Sequence, residues 1–98
     1  MASPEPPQRC FLAEWYQPAV VNSDIDYVTT TLGDSAAHLN DQGHPVRLLT
    51  VFTVPIDQVL YGLYAAESAD DITHACESVG WPVDRITGGV HTRTPRDC

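Results

Sequence analysis

The hydrophobic positions of this chain fall into segments with two different periods. Residues 10–16, 46–54 and 59–66 are dense in aliphatic, aromatic and β-branched residues, which is typical of β-strands. Residues 85–91 have a weaker pattern of the same kind, and Gly88 and Gly89 within them favour a bulge. The pattern therefore predicts four strands.

Two other segments repeat their apolar residues at helical steps of three and four. The first predicts a helix over roughly residues 24–42, with Asn22 or Ser23 as its N-cap and Gly43 after its end; its stripe is Ile25, Val28, Leu32, Ala36 and Leu39. The second predicts a short helix that follows Ser68 and ends at Gly80; its stripe is Ile72, Ala75, Cys76 and Val79.

The order of these elements is β-α-β-β-α-β, which predicts an α+β domain of the ferredoxin-like kind. In that arrangement the first and third strands are central in an antiparallel sheet, and both helices cover one face. We expect residues 10–93 to form this domain, residues 1–9 to form a disordered proline-rich N-terminal arm, and residues 94–98 to form a flexible tail.

The predicted strands are apolar on both faces, although two helices cover only one. The first strand directs Phe11, Ala13 and Trp15 to one face and Leu12 and Tyr16 to the other. The second is expected to direct Leu48, Phe52 and Val54 to one face and Leu49 and Val51 to the other, and the third has Leu60 and Tyr64 opposite Val59, Tyr61 and Leu63. The second face therefore needs a cover, and we expect a homodimer or higher homo-oligomer. The alternative is a cover of long loops or the N-terminal arm.

Composition narrows the classes of partner. The net charge of −8 makes nucleic acid and membrane surfaces unfavourable partners. No apolar segment is as long as the hydrophobic region of a signal peptide or a membrane span. The three cysteines form no CxxC pair and no disulfide framework, which indicates a cytoplasmic location.

Several segments resemble a family of small bacterial proteins catalogued as a domain of unknown function. The resemblance covers roughly residues 10–91 and lies in FLAEWYQP, GHPVRLL, LYAAESADD and GWPVDRI. It implies a dimeric α+β barrel, which is a ferredoxin-like fold. One branch of the family is described as nickel-binding through histidines of the first strand. At those positions this chain has Ala13-Glu14-Trp15, with no histidine. Nickel binding is therefore possible by resemblance alone, and no residue of this chain is assigned as a nickel ligand.

Glu14 is the candidate catalytic residue. It lies in the middle of the predicted central first strand, where an unpaired carboxylate is costly to bury. In a cavity it would suit acid–base chemistry or the binding of a polar group. Tyr16, Tyr64 and Arg47 are the candidate ligand-binding residues around it. For each tyrosine ring the alternative is ordinary core packing. The alternatives are a structural ion pair of Glu14 with Arg47 or Arg85, and a position at an exposed strand end.

No histidine pair has the spacing that places two ligands on one helical face. The best candidates for metal ligands are His44, in a turn, and His91, at the end of the fourth strand, which could meet at one end of the sheet; the alternative is that both are solvated. No nucleophile or phosphate-loop motif is present. Three functions stay open: a dimeric barrel that binds or transforms a small apolar molecule, a nickel- or other metal-binding protein, and a non-catalytic interaction dimer. Whether the protein is an enzyme is left open, and no cofactor is assigned.

Overall fold

The computed structural model describes residues 9–93. Its elements in chain order are β1 (Arg9–Trp15), α1 (Pro18–Val21), α2 (Ile25–Asp41), β2 (Val46–Val54), a 3-10 turn (Pro55–Asp57), β3 (Val59–Ala66), α3 (Ala69–Ser78) and β4 (Arg85–Val90). The predicted tail 94–98 lies outside the described residues. The predicted arm 1–9 lies outside them too, except for Arg9, which is the first residue of β1.

The four strands form one antiparallel sheet in the order β2-β3-β1-β4, so β1 and β3 occupy its centre. β2 and β3 are consecutive neighbours joined by the 3-10 turn. The predicted α+β class is confirmed, with a four-stranded antiparallel sheet and three α-helices.

α2 begins one or two residues later than the sequence suggests. Its N-cap is Asp24, whose carboxylate accepts the backbone N–H groups of Asp26 at 2.8 Å and Tyr27 at 3.2 Å, so Asn22 and Ser23 are not the cap. The residues before it form α1, a short helix that the sequence analysis did not predict, with Pro18 in its first turn. α1 contributes the buried side chain of Val20.

The other helix ends agree with the sequence. Ser68 Oγ accepts the backbone N–H of Asp71 at 3.4 Å, which caps the start of α3. Gly43 and Gly80 follow α2 and α3 with φ angles of 90° and 78°, a left-handed conformation that glycine adopts without strain.

One core lies between the helices and one side of the sheet, which we call the helix side. All three helices contribute to it, through Val20, Val28, Leu32, Ala36, Leu39, Ile72, Ala75 and Cys76. The strands contribute Phe11, Ala13, Trp15, Val46, Leu60, Tyr64 and Ala66. The opposite side of the sheet, which we call the open side, has no helix packed on it within the described residues.

A bulge in β2 changes which of its residues share a side. Leu48 pairs with Tyr64 and Thr50 pairs with Leu63, so Leu49 is an extra residue between them. Leu48 and Val51 therefore pack against the core, whereas Phe52 and Val54 lie on the open side. The expectation that Leu48 shares a face with Phe52 and Val54 is wrong, because a strict period of two does not hold across a bulge.

The bulge predicted in β4 is present. Cys10 of β1 pairs with Val90 and Leu12 pairs with Thr87, so Gly88 and Gly89 together oppose one residue of β1. Gly89 has a φ angle of 67°, which suits a glycine.

Among residues 9–93, no helix combines the length and the apolar character needed to cross a membrane.

Candidate functional site

The open side of the sheet is mostly apolar and partly accessible. Its strand register forms cross-strand rows, in which residues of neighbouring strands stand side by side. One row is Thr50, Leu63, Leu12 and Thr87, and the next is Phe52, Tyr61, Glu14 and Arg85, which we call the Glu14 row. Val54 and Val59 form the start of a third row. Phe52 keeps 42% of its surface accessible, which is high for a phenylalanine on a sheet.

The Glu14 row changes from aromatic to charged across the sheet. Phe52 and Tyr61 stack with their ring centroids 4.9 Å apart and an interplanar angle of 21°. Glu14 stands beside Tyr61 on β1, and Arg85 stands beside Glu14 on β4. A flat apolar platform therefore adjoins a carboxylate and a guanidinium cation on the same side of the sheet.

Tyr16 and Arg85 both approach the Glu14 carboxylate. The Tyr16 hydroxyl donates to Glu14 Oε1 at 2.8 Å, and Arg85 Nε lies 4.0 Å from Glu14 Oε2. The Glu14 side chain is 14% exposed, whereas that of Arg85 is 66% exposed. The hydrogen bond to Glu14 raises the pKa of the Tyr16 phenol, with some help from burial, while the positive charge of Arg85 lowers it.

Asp84 fixes the end of β1 that carries this group. Its carboxylate accepts the backbone N–H of Tyr16 at 2.8 Å, and its own N–H donates to the carbonyl of Glu14 at 2.9 Å. Sequence reasoning missed Asp84, because only the β1–β4 pairing brings residues 68 positions apart together. The contact between Tyr16 and Glu14 has a signal in the sequence, since residues i and i+2 share a side of a strand.

Tyr64 does not lie with Tyr16. It pairs with Phe11 on the helix side, is fully buried, and its hydroxyl is 3.7 Å from Cys76 Sγ. Burial raises the pKa of the Tyr64 phenol and raises that of the Cys76 thiol to about 11. Tyr16 and Tyr64 were predicted to lie close together because their strands are neighbours. The alternation of side chains along a strand places them on opposite sides of the sheet instead.

Arg47 lies on the open side but far from Glu14. It pairs with Ala65, which in turn pairs with Cys10, four residues before Glu14 on β1. Four residues of strand span about 13 Å, and β2 and β1 are separated by about 10 Å. Of the two arginines proposed as ion-pair partners of Glu14, Arg85 is therefore the one that the structure places beside it.

His44 and His91 lie at opposite edges of the sheet. His44 lies two residues before β2, and His91 follows β4, so at least three strand spacings, or roughly 14 Å, separate them. His44 Nδ1 is 3.6 Å from Asp71 Oδ1. These two residues border a cleft of about 210 Å³, which is also lined by Leu39, Gln42, Asp70 and His74. Residues 9–93 contain no group of three or more histidine, cysteine, aspartate or glutamate side chains placed to hold a metal ion.

A second cleft, of about 140 Å³, opens at the end of β1 next to the Tyr16 side chain. It is lined by Tyr16, Pro18, Val21, Asn22 and Gln58. None of these side chains carries a charge at neutral pH. α1 forms much of its wall, so the cleft could not be foreseen without that helix.

No protein-family model, no curated protein and no solved structure matches this chain.

Proposed function

We propose that two copies of this chain pack their open sides together, and that their interface binds a small, largely apolar molecule with Glu14 as its polar or acid–base group. The finer fold assignment is part of this proposal: a ferredoxin-like domain that forms a dimeric α+β barrel. The strand order β2-β3-β1-β4 and the core confined to the helix side support it. The observation that carries the proposal is the position of Glu14, Tyr16 and Arg85 on an apolar side of the sheet.

The open side is complementary to itself. We place the two sheets face to face, with a two-fold axis between them that runs parallel to the strands. Each cross-strand row of one copy then faces the same row of the other copy, with the order of the strands reversed. β3 then faces β1 of the second copy, and β2 faces its β4.

Within the Glu14 row this symmetry matches unlike groups. Tyr61 faces the second copy's Glu14, so its phenol has an acceptor, and Phe52 faces the second copy's Arg85, which suits a cation–π contact. In the neighbouring row Leu63 faces the second copy's Leu12. Such matches favour a second copy over an unrelated partner.

The distribution of charged residues also favours self-association through the open side. By register, the charged residues on the open side of the strands are Glu14, Arg47 and Arg85, in a chain whose net charge is −8. Two copies of an acidic protein repel each other least where acidic residues are sparse. The open side is therefore the surface on which self-association meets the least electrostatic resistance.

Glu14 and its partners have the groups that a ligand site needs. Glu14 Oε2 is too far from Arg85 Nε for a strong hydrogen bond, so it can accept a donor from a ligand. Arg85 supplies a positive charge for an anion or a polarised oxygen. The Tyr16 hydroxyl, whose proton is donated to Glu14, holds the Glu14 carboxylate in place. Two sheets packed about 10 Å apart would hold these groups away from bulk water, where their interactions strengthen.

The test combines assembly with binding of 1-naphthol, a fluorescent apolar molecule with one hydroxyl donor. We expect light scattering to give twice the chain mass of 10.7 kDa, and we expect a monomer for Leu12→Asp. Saturable binding of 1-naphthol should weaken about tenfold or more in Glu14→Gln, because a hydrogen bond to a charged acceptor is worth about 1.5–3 kcal/mol.

Glu77→Gln, on the exposed part of α3, is the matched control and should bind as the wild type does. A wild-type monomer at tens of micromolar would overturn the dimer. A dimer whose naphthol binding is absent or indifferent to Glu14→Gln would overturn the ligand site and leave a non-catalytic interaction dimer.

A further inference from the structure

Ile56 is the most exposed large apolar side chain among the described residues, with 91% of its surface accessible. It sits at the tip of the β2–β3 connection, within the 3-10 turn Pro55–Asp57. Pro55 fixes the first φ angle of the turn, and the N–H of Gln58, which has a left-handed conformation, donates to Pro55 O at 3.0 Å. A fixed turn thus presents one isoleucine to solvent.

The cleft beside Tyr16 has the volume to receive such a side chain. Its volume is about 140 Å³ and its lining is uncharged. An isoleucine side chain has four carbon groups, each of about the 30 Å³ that a water molecule occupies, so it needs roughly 120 Å³. Tyr16, Pro18 and Val21 contribute apolar groups to its lining, and Asn22 and Gln58 contribute amides that make the accessible surface more polar than apolar.

The symmetry proposed above brings this tip and this cleft together. The tip lies on the β2–β3 half of the sheet, and Tyr16 directly follows β1 on the other half, at the same end of the strands. A two-fold axis parallel to the strands exchanges the two halves without changing the end. The tip of each copy is thereby placed against the Tyr16 end of the other copy.

We propose that Ile56 of each copy inserts into the cleft lined by Tyr16, Pro18 and Val21 of a second copy of this chain. The inference rests on the proposed function, because it uses the facing of the two open sides. The insertion also adds contact area to the interface between the sheets. Four strands about 4.8 Å apart and about 26 Å long cover only about 500 Å². A stable interface needs about 800 Å² from each partner. Two reciprocal insertions extend the contact past the end of the sheet.

The first experiment measures the dimer dissociation constant by sedimentation or dilution calorimetry. Ile56→Ser should raise it on the order of 100-fold, because two isoleucine side chains lose their burial at once. Ile25→Ser is the matched control: Ile25 is also an exposed isoleucine, at the first position of α2 on the helix layer, and its substitution should leave the constant unchanged.

The second experiment uses the reciprocity of the contact. Asn22→Trp fills the cleft and leaves Ile56 in place, whereas Ile56→Ser removes the side chain and leaves the cleft open. Each homodimer then lacks both insertions, but a mixed dimer keeps one. An equimolar mixture should associate about tenfold more tightly than either variant alone, with circular dichroism confirming that both variants are folded.

The outcomes separate this inference from the function proposed above. A wild-type dimer that Ile56→Ser does not weaken, or a mixture no tighter than its components, overturns the insertion and leaves the dimer and its Glu14 site standing. A wild-type monomer overturns both.

Discussion

Gly62, in the middle of β3, is the position where one added methyl group should do the most damage. It pairs with Ala13 on the helix side of the sheet, beneath two buried rings. A Cβ atom at Gly62 would lie 3.1 Å from Trp15 Cζ3 and 3.3 Å from Tyr64 Cε1. Trp15 cannot move away easily, because its Nε1–H donates to Trp81 O at 2.9 Å.

The expected loss of stability in Gly62→Ala is the difference of two terms. Forcing a methyl group into a packed core costs about 1–3 kcal/mol. Replacing glycine by alanine also reduces the freedom of the unfolded chain, which returns about 0.4–1 kcal/mol. With the middle of each range, about 2 and about 0.7 kcal/mol, the net loss is about 1.3 kcal/mol. A change of 1 kcal/mol shifts the Tm of a domain this size by about 4–8 °C.

Urea unfolding at one fixed protein concentration measures this loss, and Gly33→Ala is its matched control. Gly33 lies inside α2, and its Cβ would meet nothing closer than Leu48 Cδ2 at 3.9 Å. There the same change should stabilise the protein by about 0.5–1 kcal/mol, because glycine is a poor helix former. A Gly62→Ala protein as stable as the wild type would refute the packing of Trp15 and Tyr64 over Gly62.

Three further predictions concern the fold that carries the site. Asp24→Ala should lower the free energy of unfolding by about 0.5–2 kcal/mol in urea titrations, since it removes the N-cap of α2; an unchanged midpoint would contradict the cap. Burial raises the pKa of the Tyr64 phenol in the folded protein above its unfolded value of 10.0. The stability that the neutral phenol contributes is therefore fully present below pH 10 and is lost as the pH rises further. Tyr64→Phe should therefore flatten the decline of stability above pH 10; an equally steep decline would show that other groups cause it. Cys76, buried and with a pKa raised to about 11, should react with iodoacetamide far more slowly in the native protein than in urea, and mass spectrometry giving equal rates would contradict its burial.

Local signals in the sequence were sufficient for most of the secondary structure. β2 and β3 begin and end where the density of aliphatic, aromatic and β-branched residues predicts, and Gly43 and Gly80 mark the ends of two helices. These features depend on neighbours a few residues away. α1 was missed because four residues are too few for a periodic pattern, and the Leu49 bulge was missed because it depends on pairing with β3.

For the candidate site, the sequence by itself determined that Glu14 is its acidic residue, that Glu14 lies on the first strand, and which side of the sheet it occupies. Glu14 on β1 and Tyr16 directly after it alternate with buried residues, so a period of two was enough to put both on the side away from Phe11 and Trp15. Only the tertiary structure decided the partners. Arg85 and Asp84 reach Glu14 and Tyr16 through the pairing of β1 with β4, while Tyr64 is directed into the core by the register of β3. Contacts between residues nearly seventy positions apart depend on how strands are ordered in the sheet, and no local pattern of side chains encodes that order.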